Sequence, residues 1–352
     1  MSNVSHFDFD LPRELIAQDA PAERGASRLL VLHRATGAIH DCHFHDLPAL
    51  LSPGDLLVVN DTRVFPARLR GRRLPGGGSV ECLLVRRVGG EGAAEIWEAL
   101  VHPGQRLKAG TRLEFGGAAA SIHGEVLERH FHGRRTVKLW TESDSIQGAV
   151  DTIGHVPLPP YIKRDDHAGD HERYQTVFAE RRGSIAAPTA GLHFTAGLLE
   201  SIRARGIDVT SITLHVGYGT FQPIRVQTIE EHRMEPEEYE VSPAAARLLS
   251  RALGEKRRII AVGTTTTRTL ESLTIDDKAQ VQPGRGSTDL FIHPGYSFRV
   301  ISGLVTNFHL PKSSLLMLVA AFSGHETVLD AYRHAVAHRY RFYSYGDAML
   351  IL

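Results

Sequence analysis

Short apolar runs separated by polar turns dominate the first part of the chain. One apolar run covers residues 29–32, and another covers residues 55–59, directly before the polar quartet Asn60-Asp61-Thr62-Arg63. Between about residues 64 and 140 the apolar runs are short, and turns rich in glycine and proline separate them. Short strands at regular spacing with turn signals predict a small all-β barrel or sandwich in this region.

Beyond the proline-rich segment 157–160 the pattern changes to strands that alternate with helices. Thr195 and Ser242 are suitable N-caps, and Gly206 lies just past the end of the first helix. The predicted elements are helices at 195–205, 242–257, near 314–322 and 326–339, strands at 207–216 and 259–262, and an exposed loop at 274–287. Alternating strands and helices predict an α/β domain with a mixed or parallel sheet.

Composition narrows the function classes without choosing among them. The 352 residues are 42% hydrophobic and 23% charged, which suffices for one large domain or two ordinary ones. The 40 basic and 40 acidic residues give a formal net charge of zero, so any RNA contact must come from local basic patches. Two cysteines, no apolar signal core and no run of membrane-spanning length lead us to expect a cytoplasmic protein.

Four stretches place polar side chains at the ends of predicted elements. Polar groups at strand ends commonly line ligand crevices, and free N–H groups at a helix start suit a carboxylate or phosphate. Each stretch could equally be a capped or glycine-rich turn, or carry a surface histidine. The stretches are 60–68 (NDTRVFPAR), 187–195 (APTAGLHFT), 214–221 (LHVGYGTF) and 262–269 (VGTTTTRT), the last of which 306–311 (TNFHLP) could complete.

Other candidate sites are weaker. Neither a G-x-G-x-x-G after a strand nor a G-x-x-x-x-G-K occurs, so the usual nucleotide-binding fingerprints are missing. His40, Cys42, His43 and His45 could gather around a metal, but no second ligand group is evident and we predict no metal site. The arginines of residues 63–73 could hold RNA phosphates or form a solvated strand edge.

Taken together, the motifs resemble those of the S-adenosylmethionine:tRNA ribosyltransferase-isomerase family of queuosine biosynthesis. They follow the family order along nearly the whole chain, and most are six residues or longer, so chance is a poor explanation. Two positions depart from the family pattern: Glu235 replaces the second histidine of a His-x-Met-His motif, and Ser302 stands where an aspartate is common. The matching stretches are 7–12 (FDFDLP), 59–64 (VNDTRV), 188–195 (PTAGLHFT), 215–221 (HVGYGTF), 306–313 (TNFHLPKS) and 340–351 (YRFYSYGDAMLI).

The resemblance implies a two-domain monomer with a small β-barrel inserted into an α/β domain that has a mixed sheet. We expect residues 1–63 and 154–352 to form the α/β catalytic domain and residues 64–153 to form the barrel. The substrates would be S-adenosylmethionine, a co-substrate rather than a resident cofactor, and a tRNA with a GUN anticodon carrying 7-aminomethyl-7-deazaguanine at the wobble position. Transfer and isomerisation of the ribosyl group would give epoxyqueuosine-tRNA, adenine and methionine, with no membrane partner.

Three other functions compete with this reaction. A catalytically inactive tRNA-binding module of the same fold is the main alternative, and the departure from the family pattern at Glu235 favours it. A methyltransferase would lack its glycine fingerprint here, and an α/β hydrolase would lack its G-x-S-x-G elbow.

Candidate roles follow from the residue types at the matching positions. For proton transfer we expect His193 or His309, with Asp61 as the second candidate. Tyr218 and Phe221 would offer aromatic faces to adenine or the sulfonium. The remaining candidates are Thr264, Thr265, Arg268 and Asn307 for the methionine carboxylate or ribose, and Arg63, Arg68, Arg72 and Arg73 for tRNA phosphates.

Overall fold

The structure is a computed structural model that describes residues 3–217, 219, 224 and 226–352. The chain forms two compact units. The α/β unit consists of Met1–Arg63, Pro160–Arg164 and Arg173–Leu352, and the barrel unit consists of Val64–Pro159 and Asp165–Glu172.

The described residues form seventeen strands and eight α-helices. The strands are β1 (Arg28–His33), β2 (Ala38–His43), β3 (Leu56–Asn60), β4 (Thr62–Val64), β5 (Arg68–Leu74), β6 (Ser79–Glu91), β7 (Ala94–His102), β8 (Arg112–Gly116), β9 (Ser121–Arg129), β10 (Arg134–Trp140), β11 (Arg181–Ser184), β12 (Asp208–Leu214), β13 (Glu237–Val241), β14 (Ile259–Val262), β15 (Gly284–Thr288), β16 (Gly303–Asn307) and β17 (Ala348–Ile351). The α-helices are α1 (Leu47–Leu50), α2 (Ile146–Ile153), α3 (Asp170–Arg173), α4 (Ala196–Ala204), α5 (Pro243–Gly254), α6 (Thr264–Ser272), α7 (Ser314–Ser323) and α8 (His325–Ala337).

A nine-stranded mixed sheet organises the α/β unit, in the order β15-β13-β12-β3-β14-β16-β17-β1-β2. Its centre is parallel, because β12, β3, β14 and β16 pair in the same direction. The flanking pairs β16–β17, β1–β2, β12–β13 and β13–β15 are antiparallel. The predicted fold class, an α/β domain with a mixed sheet and a small β-barrel, is confirmed.

Both faces of this sheet are covered, which explains why its central strands are apolar throughout. In β3, Leu56 and Val58 join the core on one face, while Leu57 and Val59 join the core on the other. The first core includes side chains of α5 to α8, and the second includes side chains of α1 and α4. Successive strand residues point to opposite faces, so an unbroken apolar run satisfies two cores at once.

Helices α4 and α5 begin at the capping residues that the sequence indicates, and α7 begins in the same way at Ser313. The side chains of Thr195, Ser242 and Ser313 each accept a hydrogen bond from a backbone N–H in the first turn of α4, α5 and α7. The expected loop at 274–287 is partly wrong, because its last residues belong to β15, which pairs with β13 at the sheet edge. Within the described residues, no helix is long and apolar enough to cross a membrane.

The barrel unit is a closed sheet in the order β10-β7-β6-β5-β8-β9, with antiparallel neighbours throughout. Its second boundary differs from the expected residue 154. His155 exchanges two backbone hydrogen bonds with Arg68, of 2.8 and 3.2 Å, and its Nδ1 lies 2.9 Å from Asp166 Oδ1. These contacts keep the segments Val64–Pro159 and Asp165–Glu172 with the barrel.

Candidate active site

A cavity of about 670 Å³ lies in the α/β unit. It is lined by residues 187–190 and 263–265, by most of residues 306–315, and by Tyr161 and Tyr343 among others. Three of the stretches singled out in the sequence therefore meet at one site. The volume is within the range of about 300–1,000 Å³ that small-molecule sites occupy.

Sheet topology brings these distant stretches together. Strands β14 and β16 are parallel neighbours, and each is followed at its carboxyl end by residues that line the cavity. Gly263 has φ +94°, a conformation that favours glycine, and it turns the chain from β14 into α6. The cavity thus occupies the strand-end crevice where open α/β sheets usually bind ligands.

One of the predicted catalytic residues, His309, lines the cavity. Its side chain is 6% exposed, and its Nε2 lies 2.9 Å from Thr306 Oγ1. Burial lowers the pKa of His309 from 6.5 to about 3, because desolvation penalises the imidazolium. His309 therefore presents a neutral imidazole to the cavity at neutral pH.

His193 is not among the described residues that line this cavity, but it contacts Asn307, which does line it. Asn307 Nδ2 donates to His193 Nε2 at 3.0 Å, so the ring proton is on Nδ1, which donates to Ser27 Oγ at 3.0 Å. Burial, with a smaller contribution from the charge of Arg24, lowers the pKa of His193 from 6.5 to about 3. The geometry lets His193 orient the Asn307 amide, and its expected role in proton transfer stays a prediction.

Asn307 lines the cavity with its amide already engaged on three sides. Besides His193, its Nδ2 donates to the Tyr343 carbonyl at 3.2 Å, and its Oδ1 accepts from Thr189 Oγ1 at 3.0 Å. The amide therefore ties three chain segments of the cavity wall together. Its expected contact with S-adenosylmethionine is limited to the remaining lone pair of Oδ1.

Asp61 lies outside the lining of the cavity and holds strand β12. Its two carboxylate oxygens accept hydrogen bonds from Ser211 Oγ at 2.8 Å and Thr213 Oγ1 at 2.6 Å. Both hydroxyl groups belong to β12 and are at least 150 residues away in sequence. The carboxylate therefore holds β12 against the end of β3. The role of Asp61 as second candidate for proton transfer stays a prediction.

The threonine–arginine stretch divides into two parts with different surroundings. Thr264 and Thr265 line the cavity at the start of α6, where no side chain caps the helix. Arg268, one turn further on, is 3% exposed and forms a salt bridge with Glu237. Its other nitrogens donate to the carbonyls of Leu290 at 2.8 Å and Thr288 at 3.3 Å. Each guanidinium nitrogen of Arg268 thus has a partner inside the protein, and the expected contact with substrate stays a prediction.

The predicted aromatic faces lie outside the described residues, since Tyr218 and Phe221 are among those not described. A different aromatic pair lines the cavity: the rings of Tyr161 and Tyr343 have centroids 3.9 Å apart. Burial raises the pKa of both hydroxyl groups, so both stay protonated. Sequence reasoning missed this pair, although Tyr343 lies in the quoted stretch 340–351 and Tyr161 follows the prolines at 157–160.

The charge of the cavity is one-sided. Arg13, Lys163 and Lys312 are among its lining residues, and none of the described lining residues is acidic. Lys312 Nζ is paired with Asp8 at 2.6 Å. The lining therefore favours an anionic group on the ligand, while the tyrosine faces suit an apolar or cationic one.

The two departures from the family pattern lie in different places. Ser302 precedes β16 and bonds to Ile259, the first residue of β14, so it is at the strand ends opposite the cavity. Glu235 lies beside Gly219, because a Cβ built on that glycine would be 3.3 Å from Glu235 Oε2. Glu235 is therefore the departure placed next to the glycine–tyrosine–glycine stretch.

The expected tRNA-binding arginines on β5 do not share one face of the strand. On β5, Arg68 and Arg72 face one way and Arg73 the other, because strand side chains alternate. Arg68 donates to the Leu158 carbonyl at 2.9 Å, and the largely exposed Arg72 pairs with Glu114 at 2.7 Å. Arg73 packs at the Gly78 turn. Arg63, exposed, belongs to the α/β unit.

An exposed aromatic residue on the barrel unit was not anticipated. Phe131, in the turn between β9 and β10, is 88% exposed. The buried guanidinium of Arg135 donates to the carbonyls of Leu107 at 3.2 Å and Arg134 at 2.7 Å, and it also bonds to Gly104. Arg135 thus fixes this turn beside the segment that carries the exposed Arg106 and Lys108. A lone phenylalanine in a loop gives no sequence signal of its exposure.

The fold and cavity define an α/β protein with a small-molecule site at the ends of its parallel strands and an additional β-barrel unit. The chain belongs to the queuosine biosynthesis protein family, whose sequence model matches residues 4–351. An S-adenosylmethionine:tRNA ribosyltransferase-isomerase of Heliobacterium modesticaldum is 50% identical over 349 residues, covering 99% of each chain. One from Solibacter usitatus is 49% identical over 366 residues, covering 99% of this chain and all of the other.

A solved structure is similar as well. The crystal structure of an S-adenosylmethionine tRNA ribosyltransferase from Thermotoga maritima is 39% identical in sequence. It matches with a TM-score of 0.55 over 99% of this chain and 100% of the other.

Proposed function

We propose that the chain transfers and isomerises the ribosyl group of S-adenosylmethionine onto 7-aminomethyl-7-deazaguanine at the wobble position of tRNA. It is a transferase of the queuosine biosynthesis family, and the products are epoxyqueuosine-tRNA, adenine and methionine. The tRNA carries a GUN anticodon, the enzyme works in the cytoplasm as a monomer, and S-adenosylmethionine is consumed as a co-substrate without a resident cofactor.

The observation that carries this proposal is the cavity at the ends of β14 and β16. Its helix start at Thr264 and Thr265, together with its lysines and arginine, suits the methionine carboxylate. The paired faces of Tyr161 and Tyr343 suit the sulfonium or the adenine ring. A carboxylate, a cation and an aromatic base joined in one molecule are the groups that S-adenosylmethionine brings.

The reaction needs both a base and an acid in this cavity. A base removes a proton from the ribose methylene next to the sulfonium, and adenine needs a proton to depart as a neutral leaving group. His309 lines the cavity with a neutral imidazole, but a pKa of about 3 makes it a weak base, so bound substrate must raise this pKa for His309 to accept the proton. Tyr161 and Tyr343 line the same cavity with protonated hydroxyl groups, which can hydrogen-bond the departing adenine.

On the barrel unit, the features that suit tRNA are local because the net charge is zero. Arg72 on the outer face of β5 can contact phosphates. The exposed ring of Phe131 can stack on an unpaired base, a contact typical of proteins that bind single-stranded RNA loops.

Release of free adenine from S-adenosylmethionine tests the reaction directly. The assay compares tRNA carrying the deazaguanine precursor with the same tRNA carrying guanine. We expect adenine and methionine in equal amounts with the precursor tRNA alone. Release of S-adenosylhomocysteine would indicate a methyltransferase, and tight tRNA binding without any adenine would favour the inactive binding module.

His309→Asn tests the assignment of the base. We expect kcat to fall by about 10²–10⁴-fold while the KM for S-adenosylmethionine changes only a few-fold. His40→Ala, at an exposed position on β2, is the matched control and should keep full activity. Full turnover by His309→Asn at saturating substrates would remove His309 from the chemistry and leave the reaction itself untouched.

A further inference from the structure

A second group of polar side chains lies away from the cavity, where helix α8 packs beside strand β2. Asp41 on β2, His334 on α8 and His338 at the C-cap of α8 each present one potential ligand atom, and these atoms all lie within 4.8 Å of one another. His334 and His338 are four residues apart and therefore on the same side of the helix. We propose that these three side chains form a binding site for a divalent transition-metal ion of the Zn²⁺ type.

The distances fit two ligands of a single ion. His334 Nε2 lies 3.0 Å from both carboxylate oxygens of Asp41. Two ligands at zinc–ligand distances of about 2.0–2.2 Å in a tetrahedral site lie about 3.3–3.5 Å apart. The pair must open by only a few tenths of an ångström to admit the ion, and His338 must approach from the half-exposed side where side chains can move.

The surrounding hydrogen bonds orient His338 and Asp41 as ligands, while at His334 the ion must displace the Nε2 proton that now bonds to the Asp41 carboxylate. His338 Nδ1 donates to the His334 carbonyl at 2.9 Å, which leaves the lone pair on His338 Nε2. Tyr340 donates its hydroxyl proton to Asp41 Oδ1 at 2.5 Å, so Oδ2 is left for the ion. Such outer contacts fix tautomers and carboxylate orientation, and metal-binding proteins use them to set affinity.

Nearby positive charge does not oppose the ion strongly. Arg28 lies over the Tyr340 ring at 3.9 Å, and its guanidinium pairs with Asp347 at 3.2 Å. Two imidazoles and one carboxylate, with the remaining positions open to water, match the preference of Zn²⁺ over Mg²⁺ or Ca²⁺, which take mainly oxygen ligands.

The site would join an edge strand to a helix. Strand β2 is the last strand of the nine-stranded sheet, so one of its edges has no strand partner in that sheet. A metal bridge from Asp41 to α8 would tie this strand to the body of the α/β unit. Bound ion would therefore raise the thermal stability of the chain, because it binds the folded state.

The test uses the full chain, stripped with EDTA and titrated with ZnCl₂ by calorimetry, with Co²⁺ absorption as a second readout. We expect one tight Zn²⁺ site per chain and a rise in Tm. Asp41→Asn, His334→Ala and His338→Ala should each lower the affinity at least about 10-fold and abolish the rise in Tm.

The neighbouring group His43, His45 and Asp46 supplies the matched control, because its potential ligand atoms are equally close together. There, however, Asp46 Oδ2 already accepts from the His43 backbone N–H at 2.9 Å in a capping box. The double variant His43→Ala/His45→Ala should therefore bind Zn²⁺ as the wild type does. The proposal is overturned if the wild type binds no ion, if the three variants bind it unchanged, or if binding is lost in the control.

Discussion

The salt bridge between Arg268 and Glu237 provides the sharpest test of what holds the cavity in shape. Both side chains are almost completely buried, at 3% and 5% exposed. Glu237 Oε1 also accepts from the Gly217 N–H at 2.9 Å, directly before the glycine–tyrosine–glycine stretch. The pair therefore fixes α6, β13 and the beginning of that stretch together.

Glu237→Gln removes one charge and keeps the shape, so Arg268 is left as an uncompensated buried cation. Loss of one partner from a buried pair destabilises by about 3–5 kcal/mol. For a unit of this size that corresponds to a fall in Tm of about 6–20 °C. If the glutamine oxygen accepts from Gly217, its NH2 group faces the Arg268 guanidinium, so the variant opposes two donors in addition to removing the charge.

The matched control lies on the same strand. Glu240 pairs with Arg285 at 2.9 Å, but these side chains are 42% and 85% exposed. Glu240→Gln should change the free energy of unfolding by less than about 1 kcal/mol. The double variant Glu237→Gln/Arg268→Met should be less destabilised than the sum of its single variants, since it leaves no unpaired charge.

Denaturant unfolding of Glu237→Gln, Arg268→Met, their double variant, Glu240→Gln and the wild type measures these differences. The KM for S-adenosylmethionine is measured at denaturant concentrations below the unfolding transition. Equal effects of Glu237→Gln and Glu240→Gln would refute the reasoning from burial. A large rise in KM in the folded double variant would show that Arg268 binds substrate after all.

Three further predictions concern acid stability and the tRNA surface. Burial lowers the pKa of His193 and His309 to about 3, so between pH 6.5 and 3 the unfolded chain binds more protons than the folded chain. As the pH falls through this range, the free energy of unfolding should decrease by up to about 1.4 kcal/mol per pH unit for each histidine. Urea unfolding across this range checks it, and His193→Asn should flatten the slope; an unchanged slope would contradict the assignment. Arg72→Gln, on the outer face of β5, should weaken tRNA binding and reduce its log–log salt slope by about 1, whereas Arg73→Gln, on the opposite face, should leave the slope unchanged in filter binding. Phe131→Ala should weaken tRNA binding by about 1–3 kcal/mol and Phe131→Trp should restore it; equal loss in both would exclude stacking, and Val88→Ala, at another exposed barrel position, is the control.

Patterns that depend on neighbouring residues were predictable from the sequence. The caps at Thr195 and Ser242 mark true helix starts, and the apolar run at 55–59 contains β3, which is buried on both faces. The sequence links residues 306–311 with the 262–269 stretch, and members of both line the cavity. These features arise from local hydrogen bonding and from the two-residue repeat of strands, which a sequence displays directly.

The distribution of polar side chains between cavity and interior could not be predicted in the same way. Asp61, His193 and Arg268 have residue types suited to catalysis, but their partners are 20 to 166 residues away in sequence. Whether a polar side chain meets a ligand or an internal partner depends on such long-range contacts. The stacking of Tyr161 on Tyr343 has the same origin, since the two tyrosines are far apart along the chain.

The pH dependence of the reaction follows from which groups can titrate in the cavity. His309 is neutral throughout the range above pH 3, and the tyrosines remain protonated beyond their ordinary range. The aminomethyl group of the tRNA base must lose a proton before it can attack, and an alkylamine loses its proton at about pH 10. We therefore expect kcat/KM to rise steadily between about pH 7 and 9, without an acidic limb near 6.5. An acidic limb near 6.5 that disappears in His309→Asn would contradict this, because it would show that His309 titrates as an exposed imidazole does.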